Sequence, residues 1–222
     1  SEQCEPLVRR VLAPNASHYT FTGTQTYIVG AGDEVAVIDP GPADDGADSE
    51  PSPFKGADTN GKGHVEAILA AVGAARIGAI LCTHTHRDHS PAAAVLKART
   101  GAPIIGCAPL VLSDDGPRAD SAFDHSYAPD RVLGDGEQIS GPDWTIEAVA
   151  TPGHTSNHLC YALVESGALF TGDHVMAWST SVVSPPDGDM AAYMASLAKL
   201  YEREDKVLYP AHGPAVDKPR QL

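Results

Sequence analysis

Thr83-His84-Thr85-His86-Arg87-Asp88-His89 packs three imidazoles and a carboxylate into six residues. The run before it, Ile77-Gly78-Ala79-Ile80-Leu81-Cys82, is short and apolar, the pattern of a buried strand. After it, Ser90 offers an N-cap, Pro91 suits the first helical position, and Ala92-Ala93-Ala94-Val95-Leu96 continues as helix. The polar groups therefore fall on a strand-to-helix loop. On such a loop His84 and His86 can face one way and Asp88 and His89 the other, which suits two adjacent metal ions better than one. The bland alternative, a solvated His-rich turn, gives these crowded neutral imidazoles little structural purpose without a cation.

Three later segments end apolar runs in the same kinds of group. Thr151-Pro152-Gly153-His154 follows the strand Trp144 to Val149. Leu169-Phe170-Thr171-Gly172-Asp173 ends in a carboxylate, with Gly172 letting the backbone turn close to it. Val207-Leu208-Tyr209-Pro210-Ala211-His212-Gly213 ends in a further imidazole. Four strand ends thus deliver His84, His86, Asp88, His89, His154, Asp173 and His212, and functional residues at the strand ends of a layered α/β fold converge on one edge. These five histidines and two aspartates exceed the needs of one tetrahedral zinc. With no thiolate among them they suit two Zn²⁺, while Fe or Mn would also accept such nitrogen and oxygen donors.

The remaining pattern is α/β. Tyr19-Thr20-Phe21, Gln25 to Val29 and Glu34 to Ile38 read as strands, Val65 to Ala75 and Pro91 to about Arg99 as helices, and Pro103 to Gly106 as a short strand. Leu159 to Val164 and Ala168 to Thr171 read as a hairpin. Met190 to Tyr201 is helical, and its stripe Met190, Tyr193, Met194, Leu197 and Leu200 is expected to face the core. A chain of 222 residues suits a single domain that buries ~70% of its unfolded surface. Cys4, Cys82, Cys107 and Cys160 form no CxxC pair and are expected to be reduced thiols, buried where they lie in apolar runs. There is no run of 18 apolar residues and no secretory pattern at Ser1 to Glu5, so the expectation is a cytoplasmic protein, although a start without Met leaves room for a removed upstream segment.

The formal charge is −14. Gly41 to Gly63 reads as an acidic loop insertion and Asp114 to Asp130 as a second acidic stretch, both taken as solvated faces. A protein that grips a nucleic-acid backbone needs a basic stripe, and no such run is present, so the sequence favours a small-molecule substrate over nucleic acid.

The order HxHxDH, then His154, Asp173 and His212, resembles the metallo-β-lactamase superfamily of hydrolases over roughly residues 19 to 214. Thr171-Gly172-Asp173 is similar to the branch of glyoxalase II and the lactamase-beta-like endoribonucleases, whose aspartate bridges two metals; true β-lactamases of this fold lack it. The resemblance implies an αββα metallo-β-lactamase sandwich with the metals at one edge. It implies that His84, His86 and His154 hold one metal, Asp88, His89 and His212 the other, with Asp173 bridging and Asp39 supporting the metal loop from behind. It also implies that a metal-bridging hydroxide, formed because zinc lowers the pKa of water from ~15.7 to ~7, attacks the substrate while Asp88 orients it.

That chemistry favours a small acyl substrate, whether ester, thioester or lactone. The alternatives are phosphodiester hydrolysis, as in the lactamase-beta-like endoribonucleases, and a non-hydrolytic metal-binding or redox role. His158 either braces its loop or contacts substrate, His174 is a candidate for the pocket wall, and Trp178 either shapes substrate binding or fills the core. Relatives continue past the last ligand into a helical extension, which Gly213 to Leu222 are too short to contain.

Overall fold

The computed structural model describes residues 1–43, 63–111 and 123–221. The acidic loop expected at 41–63 lies mostly outside them, as does the first part of the stretch at 114–130. Two sheets form the body. The first runs β1 (Glu2–Glu5), β2 (Val8–Leu12), β3 (Gln25–Val29), β4 (Glu34–Ile38), β5 (Arg76–Cys82), β6 (Ile104–Gly106) and β7 (Arg131–Val132), in that spatial order. Its pairs are antiparallel through β4 and parallel from β4 onward. The second holds β8 (Gln138–Ser140), β9 (Thr145–Ala150), β10 (Leu159–Leu163), β11 (Ala168–Gly172) and β12 (Val207–Pro210). Helices α1 (His64–Val72) and α2 (Ala92–Thr100) connect β4 to β5 and β5 to β6, and α3 (Met190–Tyr201) connects β11 to β12.

The apolar composition of the central strands follows from burial on both faces. Every residue of β3, β10 and β11 is buried. Between the sheets, the rings of Tyr27, Phe170 and Tyr209 meet at centroid distances of 5.0 to 5.6 Å. Two tyrosine hydroxyls cross the gap and satisfy themselves there: Tyr161 donates to the Cys82 carbonyl at 2.6 Å and Tyr27 to the Pro210 carbonyl at 2.7 Å. These bonds tie β5 and β12 to the opposite sheet, and both strands end at the site described below.

Several sequence expectations need correction. Tyr19-Thr20-Phe21 is not a strand but part of the loop joining β2 to β3, where Phe21 sits at φ 56. Ser90 does not cap α2; its hydroxyl donates to Asp124 Oδ2 at 2.9 Å, and the assigned cap, Pro91, makes no side-chain bond. The α3 stripe is not core: Met190 and Met194 are 58% and 57% exposed, and only Ser196 is buried. The helix covers a small satellite cluster of Val149, Cys160, Leu169 and Leu208 with the half-buried Leu200. It is pinned by polar contacts, Ser196 Oγ to the Pro152 carbonyl at 2.7 Å and Tyr193 OH to the His174 carbonyl at 2.9 Å. All four cysteines are unpaired, and Cys82, Cys107 and Cys160 are buried. Among the described residues no helix is long and apolar enough to cross a membrane.

Candidate metal centre

The end of β4 is the foundation. Asp39 adopts φ 47, a left-handed conformation that costs a non-glycine residue energy, and is only 2% exposed. The turn aims its carboxylate under the neighbouring strand end. Oδ1 accepts from the Thr83 amide at 2.7 Å, and Oδ2 accepts from Thr83 Oγ1 at 2.8 Å and from His89 Nδ1 at 3.0 Å. Thr83 Oγ1 in turn lies 3.0 Å from His84 Nδ1. Because Asp39 and Thr83 occupy the Nδ1 positions, the Nε2 atoms of His84 and His89 are left facing the centre, the usual consequence of an outer partner on a metal-binding imidazole.

His154 and His212 are oriented in the same way, whereas His86 turns its Nδ1 inward. His154 Nδ1 donates to the Val182 carbonyl at 2.6 Å, and His212 Nδ1 faces the Gly23 carbonyl at 3.4 Å. His84 Nε2 and His154 Nε2 then lie 2.9 and 3.2 Å from His86 Nδ1. Asp88 Oδ2 lies 3.1 Å from His212 Nε2 and 3.4 Å from His89 Nε2. Asp173 reaches both sets, with Oδ2 at 3.7 Å from His154 Nε2 and 3.5 Å from His89 Nε2, and Oδ1 at 3.3 Å from His212 Nε2. Two groups result, His84, His86, His154 with Asp173, and Asp88, His89 with His212, each having donor atoms within 4.8 Å of one another.

The electrostatics separate the groups. Burial first, then the neighbouring imidazoles, push His84 well down and His86 down to about 4, so these rings are neutral donors near pH 7. Burial opposes charge on His89 and His212 too, but the carboxylates of Asp88 and Asp173 outweigh it and raise both. Asp88 and Asp173 are correspondingly lowered against the penalty of burial, by the same imidazoles.

A divalent cation fits these donors. His89 Nε2, His212 Nε2 and Asp173 Oδ1 are buried without a hydrogen-bond partner, a costly arrangement that a coordinated cation relieves. Gly172 lets the end of β11 pack closely against the metal loop: at φ 50, a Cβ there would stand 2.7 Å from both His158 Nε2 and Thr83 Oγ1.

His158 and His174 are wholly enclosed. His158 Nδ1 pairs with Thr151 Oγ1 at 2.9 Å, and its ring lies 5.1 Å from that of His84. His174 packs against Tyr193 at 4.6 Å with neither ring nitrogen hydrogen-bonded. Trp178 is half-buried, stacked on Phe21, and lies against Gly213. Sequence reading missed Thr83, although it directly precedes the motif, and gave no role to Phe21 or to His64. The latter is buried with Nε2 2.8 Å from Thr26 Oγ1, which donates to the Asp39 carbonyl at 2.7 Å.

Two sheets joined back to back, with donors converging from four strand ends on one edge, define a class of metal-binding α/β sandwich. The chain belongs to the metallo-beta-lactamase superfamily, whose sequence profile matches residues 19–212. It is 34% identical to an atrochrysone carboxyl ACP thioesterase of Paecilomyces divaricatus over 97% of this chain and 58% of that protein. The chain thus spans under two thirds of the length of the curated relatives it matches. Among solved structures, a metallo-beta-lactamase family protein from Thermus thermophilus superposes with a TM-score of 0.74 at 18% identity, covering 99% of this chain and 77% of that one. TTHA1623, solved in a di-iron-bound form, superposes with a TM-score of 0.66 at 24% identity over 93% and 94%. These likenesses extend to the fold.

Proposed function

We propose that the chain is a metal-dependent hydrolase of small acyl substrates, thioesters foremost, working at a dinuclear centre. The observation that carries this reading is the pair of donor groups meeting at Asp173, whose Oδ2 lies between His154 Nε2 at 3.7 Å and His89 Nε2 at 3.5 Å and whose Oδ1 lies 3.3 Å from His212 Nε2. His84, His86 and His154 would hold one cation, Asp88, His89 and His212 the second, and Asp173 both, the ligand set expected of the branch with a bridging aspartate. The all-nitrogen-and-oxygen donor set favours zinc, with iron or manganese as alternatives. When bound, the ions supply Lewis-acid polarisation of the scissile carbonyl and acidify a water. Asp88, held ionised and a quarter exposed, would orient that water for attack. Asp39 and Thr83 fix the tautomers of His89 and His84, while His158 and His174 pack behind the centre.

The name of the thioesterase relatives supports a thioester among the acyl options, and the formal charge of −14 disfavours a polyanionic substrate. We further propose that residues 1–222 form one domain and that the unpaired thiols suit a reducing, cytoplasmic setting. The test is turnover of an aryl ester, a thioester, a lactone, single-stranded RNA and a lactam by one zinc-loaded preparation, with His86→Ala as the control for contaminants. The thioester should be cleaved fastest, and the variant should abolish it. Faster cleavage of RNA than of every acyl compound, lost in the variant, would overturn the reading.

A further inference from the structure

His154 lies on the loop between β9 and β10, outside any strand or helix that would fix the direction of its ring. The chain between β11 and α3, with the first turns of that helix, supplies the fixing contacts. The Val182 carbonyl accepts from His154 Nδ1 at 2.6 Å, and the Gly153 carbonyl accepts from the Asp189 amide at 2.9 Å. Ser196 Oγ donates to the Pro152 carbonyl at 2.7 Å. Gly153, at φ 142, permits this closeness, since a Cβ there would stand 2.3 Å from Tyr193 Cα. Residues 152 and 153 are therefore seated on the start of α3, where Asp189 Oδ1 caps the helix by accepting from the Ala192 amide at 2.7 Å.

The far side of the loop is tied to the metal loop instead. Asn157 Nδ2 donates to the Ala108 carbonyl at 2.7 Å and to Thr85 Oγ1 at 3.2 Å. Between these anchors stands the exposed Ser156, and Asp187 takes hold of it twice. Its Oδ2 accepts from the Ser156 amide at 3.0 Å and its Oδ1 from the Ser156 hydroxyl at 2.6 Å, a two-point bond to a charged acceptor. Asp187 follows Val182 by five residues, on a turn where the Gly188 amide donates to the Ser184 carbonyl at 2.8 Å. One short stretch thus carries both the partner of His154 Nδ1 and the clamp on the residue two places beyond His154. With Nδ1 donating, Nε2 faces His86 Nδ1 at 3.2 Å and Asp173 Oδ2 at 3.7 Å. In the other tautomer Nε2 would carry the proton and could not ligate.

We propose that Asp187 is a positioning residue for the metal centre: by clamping Ser156 it keeps the Val182 carbonyl on His154 Nδ1 and leaves Nε2 free for a cation. This rests on the dinuclear reading and adds to it a residue outside the ligand set. Asp187 acts through Ser156 and Val182 and takes no part in bond making.

The first readout needs no metal. In the metal-free wild type, long-range proton–nitrogen correlation should show His154, assigned by its loss in His154→Gln, as a single Nδ1-protonated tautomer. Asp187→Ala should give a mixture of tautomers, and Asp187→Asn, whose amide oxygen can still accept from the Ser156 amide, should largely restore the wild-type pattern. The second readout is competition for Zn²⁺ with a chelating dye. Asp187→Ala should weaken one bound zinc about tenfold and leave the other within about twofold. Ser156→Ala should lose less, because its amide remains, and the double variant should lose no more than Asp187→Ala, since both act through one contact. Mixed tautomers already in the wild type, a single Nδ1-protonated tautomer in Asp187→Ala, or zinc affinity unchanged or lowered equally at both ions overturns the proposal. Should Asp187→Ala fail to fold, Ser156→Ala decides by the same spectrum, a mixture sustaining the proposal and a single tautomer overturning it. If the wild type binds fewer than two zinc ions the dinuclear reading falls, and the tautomer comparison alone decides the role of Asp187.

Discussion

The two donor groups differ in how they manage charge, although Asp173 lies near imidazoles of both. Around His84, His86 and His154 three imidazoles face one another, and burial keeps His84 and His86 from protonating. Around Asp88, His89 and His212 the carboxylates hold protons on the imidazoles. Near pH 7 the rings of His84 and His86 are free of protons, whereas His89 and His212 hold theirs more tightly against an incoming cation. One edge of the sandwich thus carries a neutral site and a charge-compensated one, so the two should respond differently to the same insult.

The largest effect should come from the shared residue. Asp173→Ala is expected to weaken both groups and to lower thioester turnover by more than about 100-fold, the upper range for losing a mere supporting residue at a metal site. Equal metal content and activity in the variant would break the comparison at its centre. Next comes Asp39→Asn, which keeps the shape but removes the charge beneath His89 and Thr83. Metal affinity should fall about 10- to 100-fold, more at the Asp88 group because His89 bonds Asp39 directly, as competition with a chelating dye would measure.

Acid sharpens the contrast further. The raised values of His89 and His212 mean that protons compete there already above pH 6.5, while His86 does not take one until about 4. Dialysis between those limits should remove the cation at the Asp88 group first, and loss of both together would contradict the assignment. The smallest effect lies outside the ligands. Buried His64 has its pKa lowered from 6.5 to about 4, so the unfolded chain takes the proton first as pH falls. Its stabilising contribution is full above about pH 7 and declines through that interval, by about 2 kcal/mol between pH 7.5 and 5. Denaturation of the metal-free protein should therefore show a shallower pH dependence in His64→Gln by roughly that amount, and equal slopes would remove His64 from the support of Asp39.

The candidate ligands were legible because each ends an apolar run in a residue type with little other reason to be there. β3, β4 and α3 were bounded correctly for similar reasons, the first two by unbroken apolar stretches and the third by its regular spacing. What surrounds them was harder to read. Tyr19-Thr20-Phe21 has strand-like composition, but nothing local reveals that Phe21 turns left-handed to meet Trp178. The Met190 and Met194 stripe has helical period but lies on a helix fastened by Ser196 and Tyr193, so spacing identified the helix and not its buried face. Ser90 has the composition of a cap, yet Asp124 draws its hydroxyl away. Thr83 and His64 act through burial and backbone contacts made across the fold, which no run of residues announces.

The most direct test of two sites sharing one aspartate is the number of zinc ions per chain at saturation. Elemental analysis with protein quantified by amino-acid content should give two in the wild type, with one retained in His212→Ala by the His84, His86 and His154 group. A single zinc in the saturated wild type, or two in His212→Ala, would contradict the account.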